Sequence, residues 1–102
     1  MKTEKMMVEI VIASGVMAPE ETQRLGELFA QALGTAPEGA VIISGRMPVW
    51  AFAHLAVRAA LTGRPVATFD PRLQAGVIVW PASSAGQLLP VTGEETRREI
   101  VI

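Results

Sequence analysis

The sequence predicts an α/β domain whose central sheet is largely parallel and ends in β-hairpin material. Three observations carry this reading. Short runs of β-forming residues alternate with two helix-length stretches in the order β-α-β-α-β. The junctions coincide with turn and cap residues: Ser14, Gly15, Pro19, Gly34, Gly63 and Pro65. Beyond position 70 the apolar runs are short and separated by turn residues, which suits strands that pair with their neighbours in sequence.

The elements follow in order. Positions 6–13 (MMVEIVIA) form a mostly apolar run broken only by Glu9, expected to be a strand moderately buried on both faces. Pro19 opens a helix that runs to about position 33, with Glu20 and Glu21 favourably placed in its first turn. Leu25, Leu28, Phe29 and Ala32 fall at helical spacing and should face the sheet, leaving Gln23, Arg24, Glu27 and Gln31 in solvent. Gly34 ends this helix, and a loop is expected over 35–39. Positions 41–43 are a second strand, and Ser44, Gly45 and Arg46 form the turn after it. Pro48 suits the first turn of a helix, where its missing N–H is not needed. That helix should end at 61, since Thr62 and Gly63 close it and Pro65 blocks continuation. Positions 66–69 are the third strand. The chain then turns through Asp70, Pro71 and Arg72 and returns antiparallel over 77–80. A loop over 81–86, a short extended piece over 88–91, a turn over 92–95 and an edge strand over 99–102 complete a single domain, 1–102.

Composition bounds the function. Half of the 102 residues are hydrophobic, which excludes global disorder. The net charge of −1 gives no global case for binding duplex DNA or RNA. The chain has no cysteine, so disulfides and thiolate metal sites are excluded. A single histidine, His54, rules out a multi-histidine metal site within one chain. The N-terminal charges do not resemble a signal peptide, and no apolar run approaches the roughly 20 residues needed to span a membrane. A soluble cytoplasmic protein is expected.

The helix over 48–61 is apolar on almost every face, with His54 and Arg58 its polar exceptions at i, i+4. Such a helix is buried on more than one side. In so small a domain the second covering surface is expected to be another subunit, giving a homodimer or a larger assembly built from it.

One helix joining two parallel strands brings both strand ends to the same edge of the sheet. Ser44, Gly45 and Arg46 then lie beside Asp70 and Arg72, at the carboxyl ends where open α/β sheets bind ligands. Two arginines, an aspartate, a hydroxyl and the helix N-terminus at Pro48 suit a phosphate. Taken singly, each has a plainer role. The arginines can form structural ion pairs, and Ser44, Gly45 and Asp70 can be ordinary turn residues. Asp70 can also orient a hydroxyl, take its proton or bind a metal. Trp50 reads as a core or interface anchor. His54, mid-helix, reads as an interface residue first and a catalytic candidate second.

ISGRMPVW at 43–50, followed by VATFDPRL at 66–73, resembles the third family of CRISPR-associated ring nucleases. The similarity covers the middle 40 or so residues and rests on the two motifs in order and at matched spacing. The resemblance implies a small Rossmann-like domain of the CRISPR-associated (CARF) type and a homodimer. It also implies binding of cyclic tetra-adenylate or a similar RNA tetranucleotide, and phosphodiester cleavage of that ring with manganese supporting activity. Ser44, Gly45, Arg46 and Pro48 match the ligand-holding turn. Asp70 and Arg72 match the catalytic turn, with Asp70 the candidate metal ligand. The departure is in the histidines, which the family carries near the end of the central helix and after the hairpin strand. Here those regions read Arg58-Ala59-Ala60 and Trp80-Pro81-Ala82, and His54 lies a turn or more earlier. Cleavage of the ring and binding without cleavage therefore both stay open.

Overall fold

The computed structural model describes residues 5–34 and 38–102. The elements run β1 (Lys5–Val11), α1 (Thr22–Gly34), β2 (Ala40–Gly45), α2 (Val49–Ala60), β3 (Val66–Asp70), β4 (Ala75–Trp80), β5 (Leu88–Pro90) and β6 (Thr96–Val101). Six strands form one sheet in the order β5-β4-β3-β2-β1-β6. β6, β1, β2 and β3 are mutually parallel, while β4 and β5 add antiparallel at one edge. This is the expected α/β architecture, a small Rossmann-like domain.

Boundaries differ from the sequence reading in instructive places. β1 stops at Val11, not 13. A one-turn 3-10 helix, Pro19–Glu21, precedes α1. Glu21 accepts the Ala18 N–H at 2.9 Å, and the Thr22 hydroxyl donates to the Pro19 carbonyl at 2.6 Å, which fixes the entry to α1. Pro48 is the N-cap of α2 rather than a residue of its first turn. The expected loop over 35–39 falls, at 35–37, outside the described residues. The main correction concerns Ser44 and Gly45, which belong to β2 and not to a turn. The cause is β1, whose ladder with β2 continues through Glu9↔Ser44 and Ile10↔Gly45. Gly45 sits at φ 132°, and a Cβ there would run into the Ile10 carbonyl oxygen. Only glycine lets the strand close up on β1 at this point.

Both crossovers, β1 to β2 and β2 to β3, step the same way along the sheet, and crossovers of one hand then put both helices on one face. Leu25, Phe29 and Leu33 of α1 and Ala51, Leu55 and Ala59 of α2 pack there against Met6, Val8, Ile10, Val41, Ile43 and Val66. Leu25, Phe29 and Leu55 are fully buried. Each contributes about 1.5–3 kcal/mol by leaving water. On the opposite face Met7, Ile42, Ala67 and Ile78 form a smaller cluster. No helix lies on it among the described residues. Leu89 and Val91 cover it instead, as the chain crosses from β5 at one edge to β6 at the other.

The feature that shapes the carboxyl edge is a fork. The β2–β3 ladder contains three pairs and ends at Ile43↔Thr68. Beyond it β2 stays with β1, while β3 stays with β4 as far as Asp70↔Ala75. The two strands part just where both motif turns begin. A bulge between Val66 and Ala67 leaves Val79 as the extra residue of β4.

Candidate functional site

The fork places Gly45 and Asp70 at the same height, each two residues past the last β2–β3 pair. Both motifs therefore reach one edge of the sheet, as the strand order required. What they present differs from residue to residue.

Arg46 is exposed and has no hydrogen-bond or ion-pair partner among the described residues. It walls a shallow cleft of about 440 Å³ with Ile12, Gly15, Val16, Met17, Met47 and Pro48. The first N–H groups of α2 open beside it, because the earliest α2 bonds run from Ala51 and Phe52 back to the Pro48 carbonyl. A free guanidinium next to orphan helix donors is an anion-binding arrangement. Ser44 is buried and alternates with Ile43, so its side chain lies on the face opposite α2. It is placed to support the strand more than to touch a ligand held beside α2.

Asp70 and Arg72 come together, but with each other. Asp70 accepts from the Arg72 backbone N–H at 2.9 Å, from Nε at 3.3 Å and from Nη2 at 3.0 Å. The turn closes through the Leu73 N–H on the Asp70 carbonyl at 3.1 Å. The Arg72 guanidinium, then its backbone N–H, hold the Asp70 carboxyl below the ordinary carboxylate range. The Asp70 hydrogen bond raises Arg72 in turn. The Arg72 side chain is still 86% exposed, against 24% for Asp70, so its outer N–H groups are free to meet a ligand. Both Asp70 oxygens accept from the Arg72 guanidinium in this arrangement, and Asp70 is the one carboxylate of the two motifs that could hold a cation at this edge. No group of three His, Cys, Asp or Glu converges elsewhere among the described residues.

His54 does not join this edge. It points from α2 toward α1, and a Cβ added at Gly26 would come within 2.5 Å of both its Nε2 and the Arg58 Nε. The Arg58 Nε donates to His54 Nε2 at 3.2 Å. His54 lines a separate groove of about 540 Å³ with Pro19, Thr22, Trp50, Ala53 and Val57. The absence of a side chain at Gly26 is what lets this pair lie between the helices.

Sequence reasoning missed an apolar cleft of about 560 Å³ on the other flank of α2. It is lined by Met47, Val49, Phe52, Ala53, Ala56, Thr68, Phe69 and Val79. Met47 also lines the Arg46 cleft, so the two adjoin at the fork. Met47, Val49, Thr68 and Phe69 lie inside the two motifs, but nothing in the sequence joined them to Phe52, Ala53, Ala56 and Val79 in one cleft. The bulge at Val79 and the parting of β2 and β3 expose them. No helix among the described residues is long and apolar enough to cross a membrane.

A comparison with protein-family models matches residues 11–89 to a family described as CRISPR-associated protein (Cas_csx3). No curated protein and no solved structure gave a match.

Proposed function

The chain belongs to the Cas_csx3 family of CRISPR-associated proteins, and from that premise we propose that it binds cyclic tetra-adenylate, or a kindred RNA tetranucleotide, at the carboxyl edge of β2 and β3. The observation that supports this most directly is Arg46, exposed and unpartnered beside the N-terminus of α2. A phosphodiester would take Arg46 and the α2 N–H groups on one side and Arg72 on the other. The cleft beside Met47 and Phe52 is apolar enough to receive a base by stacking. A dimer through α2 would present two such edges to a ring.

Cleavage of a ribonucleotide ring sets the 2′-oxygen in line with phosphorus and the leaving 5′-oxygen. Fixing that geometry supplies several kcal/mol of the barrier. Arginines stabilise the charge that grows on the phosphoryl oxygens. Asp70 is the one carboxylate of the two motifs on this edge and is our candidate to orient the 2′-hydroxyl. It is a weak base while Arg72 holds it. A ligand phosphate that draws Arg72 away would release Asp70, so that binding itself prepares the reacting group. A binding module without turnover is the second reading. It is favoured by the Asp70–Arg72 pair and by His54 facing α1, which leave no uncommitted proton acceptor among the motif residues and His54.

The test is to incubate the purified protein with cyclic tetra-adenylate, with and without manganese, following melting temperature and products together. A raised melting temperature with linear products supports the nuclease. A raised melting temperature with intact ring supports the binding module. No stabilisation and no cleavage would exclude both.

A further inference from the structure

The two edges of the sheet are finished differently. β5 is three residues long and ends in Pro90, a blunted edge that resists pairing. β6 is six residues long, regular in its ladder with β1, and free of proline and glycine. Its outer side has no strand neighbour among the described residues.

The direction of its free groups can be read from its last bonds. Ile102 donates to the Val11 carbonyl at 2.9 Å and accepts from the Ala13 N–H at 2.9 Å. Its backbone therefore faces β1, and by alternation so do those of Ile100 and Arg98. Arg97, Glu99 and Val101 turn their N–H and C=O groups outward. Their side chains share one face of the sheet, the face of Met7 and Glu9. Arg97 and Glu99 are both exposed.

We propose that β6 docks antiparallel on β6 of a second copy of this chain, extending the sheet across a twofold axis at Arg98. In this register the outward backbone groups of Arg97 meet those of Glu99 in the partner copy, and the reverse pair completes the set. The same two pairs bring a guanidinium against a carboxylate twice, which is self-complementarity of charge. A register shifted by two residues along the partner would set Glu99 against Glu99 and give up both Arg97–Glu99 pairs, so charge selects between them. Edge strands are commonly protected from pairing by charged side chains, lysine above all, by proline or by a bulge. Here the charges alternate in sign along one face, and this is why the edge reads as a docking strand. Arg98 of each copy meets its equivalent on the opposite face, where the long side chains can part into solvent. This interface is separate from the apolar face of α2 and does not depend on the ligand reading.

Because the chain has no cysteine, a single introduced one reports the geometry. Residues facing each other in a non-hydrogen-bonded antiparallel pair have Cα atoms about 4.5 Å apart. This lies within disulfide range. Arg98→Cys, at an exposed position, should form a disulfide-linked dimer under mild oxidation, while Glu99→Cys should not. A charge-swap series gives the second reading, by sedimentation of otherwise unmodified protein. Arg97→Glu alone and Glu99→Arg alone should each lose the larger species, and the double variant should regain it. No link at position 98, a link formed equally well at position 99, or masses insensitive to the charge swaps would each overturn the proposal.

Discussion

Asp70 and Arg72 are two residues apart, and their mutual grip decides how the edge behaves before a ligand arrives. Asp70→Asn keeps the shape and removes the charge, so it frees the Arg72 guanidinium. Cyclic tetra-adenylate should bind at least as tightly to this variant in calorimetry, and any ring cleavage should stop. Equal turnover by the variant would make Asp70 a turn residue only. Arg46 stands differently, since it gives up no partner among the described residues on binding a phosphate. Arg46→Ala should weaken binding and flatten its salt dependence by about one cation–phosphate contact. Arg46→Lys should restore only part of the loss, because an ammonium lacks the planar fork. Unchanged affinity would remove Arg46 from the site. These roles were legible in the sequence only as positions. ISGR and DPR fixed which residues reach the edge, but not that Asp70 and Arg72 would pair or that Ser44 would face away from α2. Side-chain direction in a strand depends on where the strand ends, and here the β1 ladder and the glycine at 45 carried β2 two residues further than its β-forming run.

At the scale of the element, α2 shows most clearly what periodicity conveys and what it omits. Its apolar residues on nearly every side predicted a second covering surface. Within one protomer Ala51, Leu55 and Ala59 are spent on the core, while Val49 is 80% exposed, Val57 59% and Leu61 83%. Composition alone could not divide these sets, because the division depends on which side of α2 rests on β2 and β3. The division also decides how a dimer through α2 is probed. Leu55→Asp would place a charge in a fully buried site and unfold the protomer. Val57→Glu and Leu61→Glu alter only the exposed face. They should leave the far-ultraviolet circular dichroism intact and reduce the solution mass in light scattering. Unchanged mass in both variants would assign the exposed face of α2 another role. The same helix carries His54, and its orientation toward α1 follows from Gly26, a residue whose packing use no single-sequence pattern announces.

At the scale of the molecule, the sheet is held together by a crossing that sequence order concealed. The parallel strands and the β3–β4 hairpin were legible because their partners are neighbours along the chain. β6 pairs with β1 from the far end of the sequence, and only the path of 91–95 across the second face brings it there. That path is anchored by Glu95, which is buried at its end. Burial alone would raise its carboxyl. The N–H groups of Thr92 at 2.6 Å and Gly93 at 2.9 Å, with the Thr92 hydroxyl at 3.0 Å, outweigh burial. The net effect holds Glu95 at about 2, below its ordinary value of 4.5. A depressed folded value means the ionised form is favoured by folding. The stabilisation is complete above pH 4.5 and drains away as pH falls toward about 2. Glu95→Gln keeps the size but weakens these charge-assisted bonds, so at neutral pH it should cost on the order of 1–3 kcal/mol. In a domain of this length that is a drop of several degrees or more in melting temperature. Melting curves of wild type and variant should differ most above pH 4.5 and converge as pH approaches 2. A constant difference across that range would show that the side chain acts through packing and not through its charge. Loss of β6 protection in hydrogen exchange, at a pH where the helices stay protected, would tie the same carboxylate to closure of the sheet.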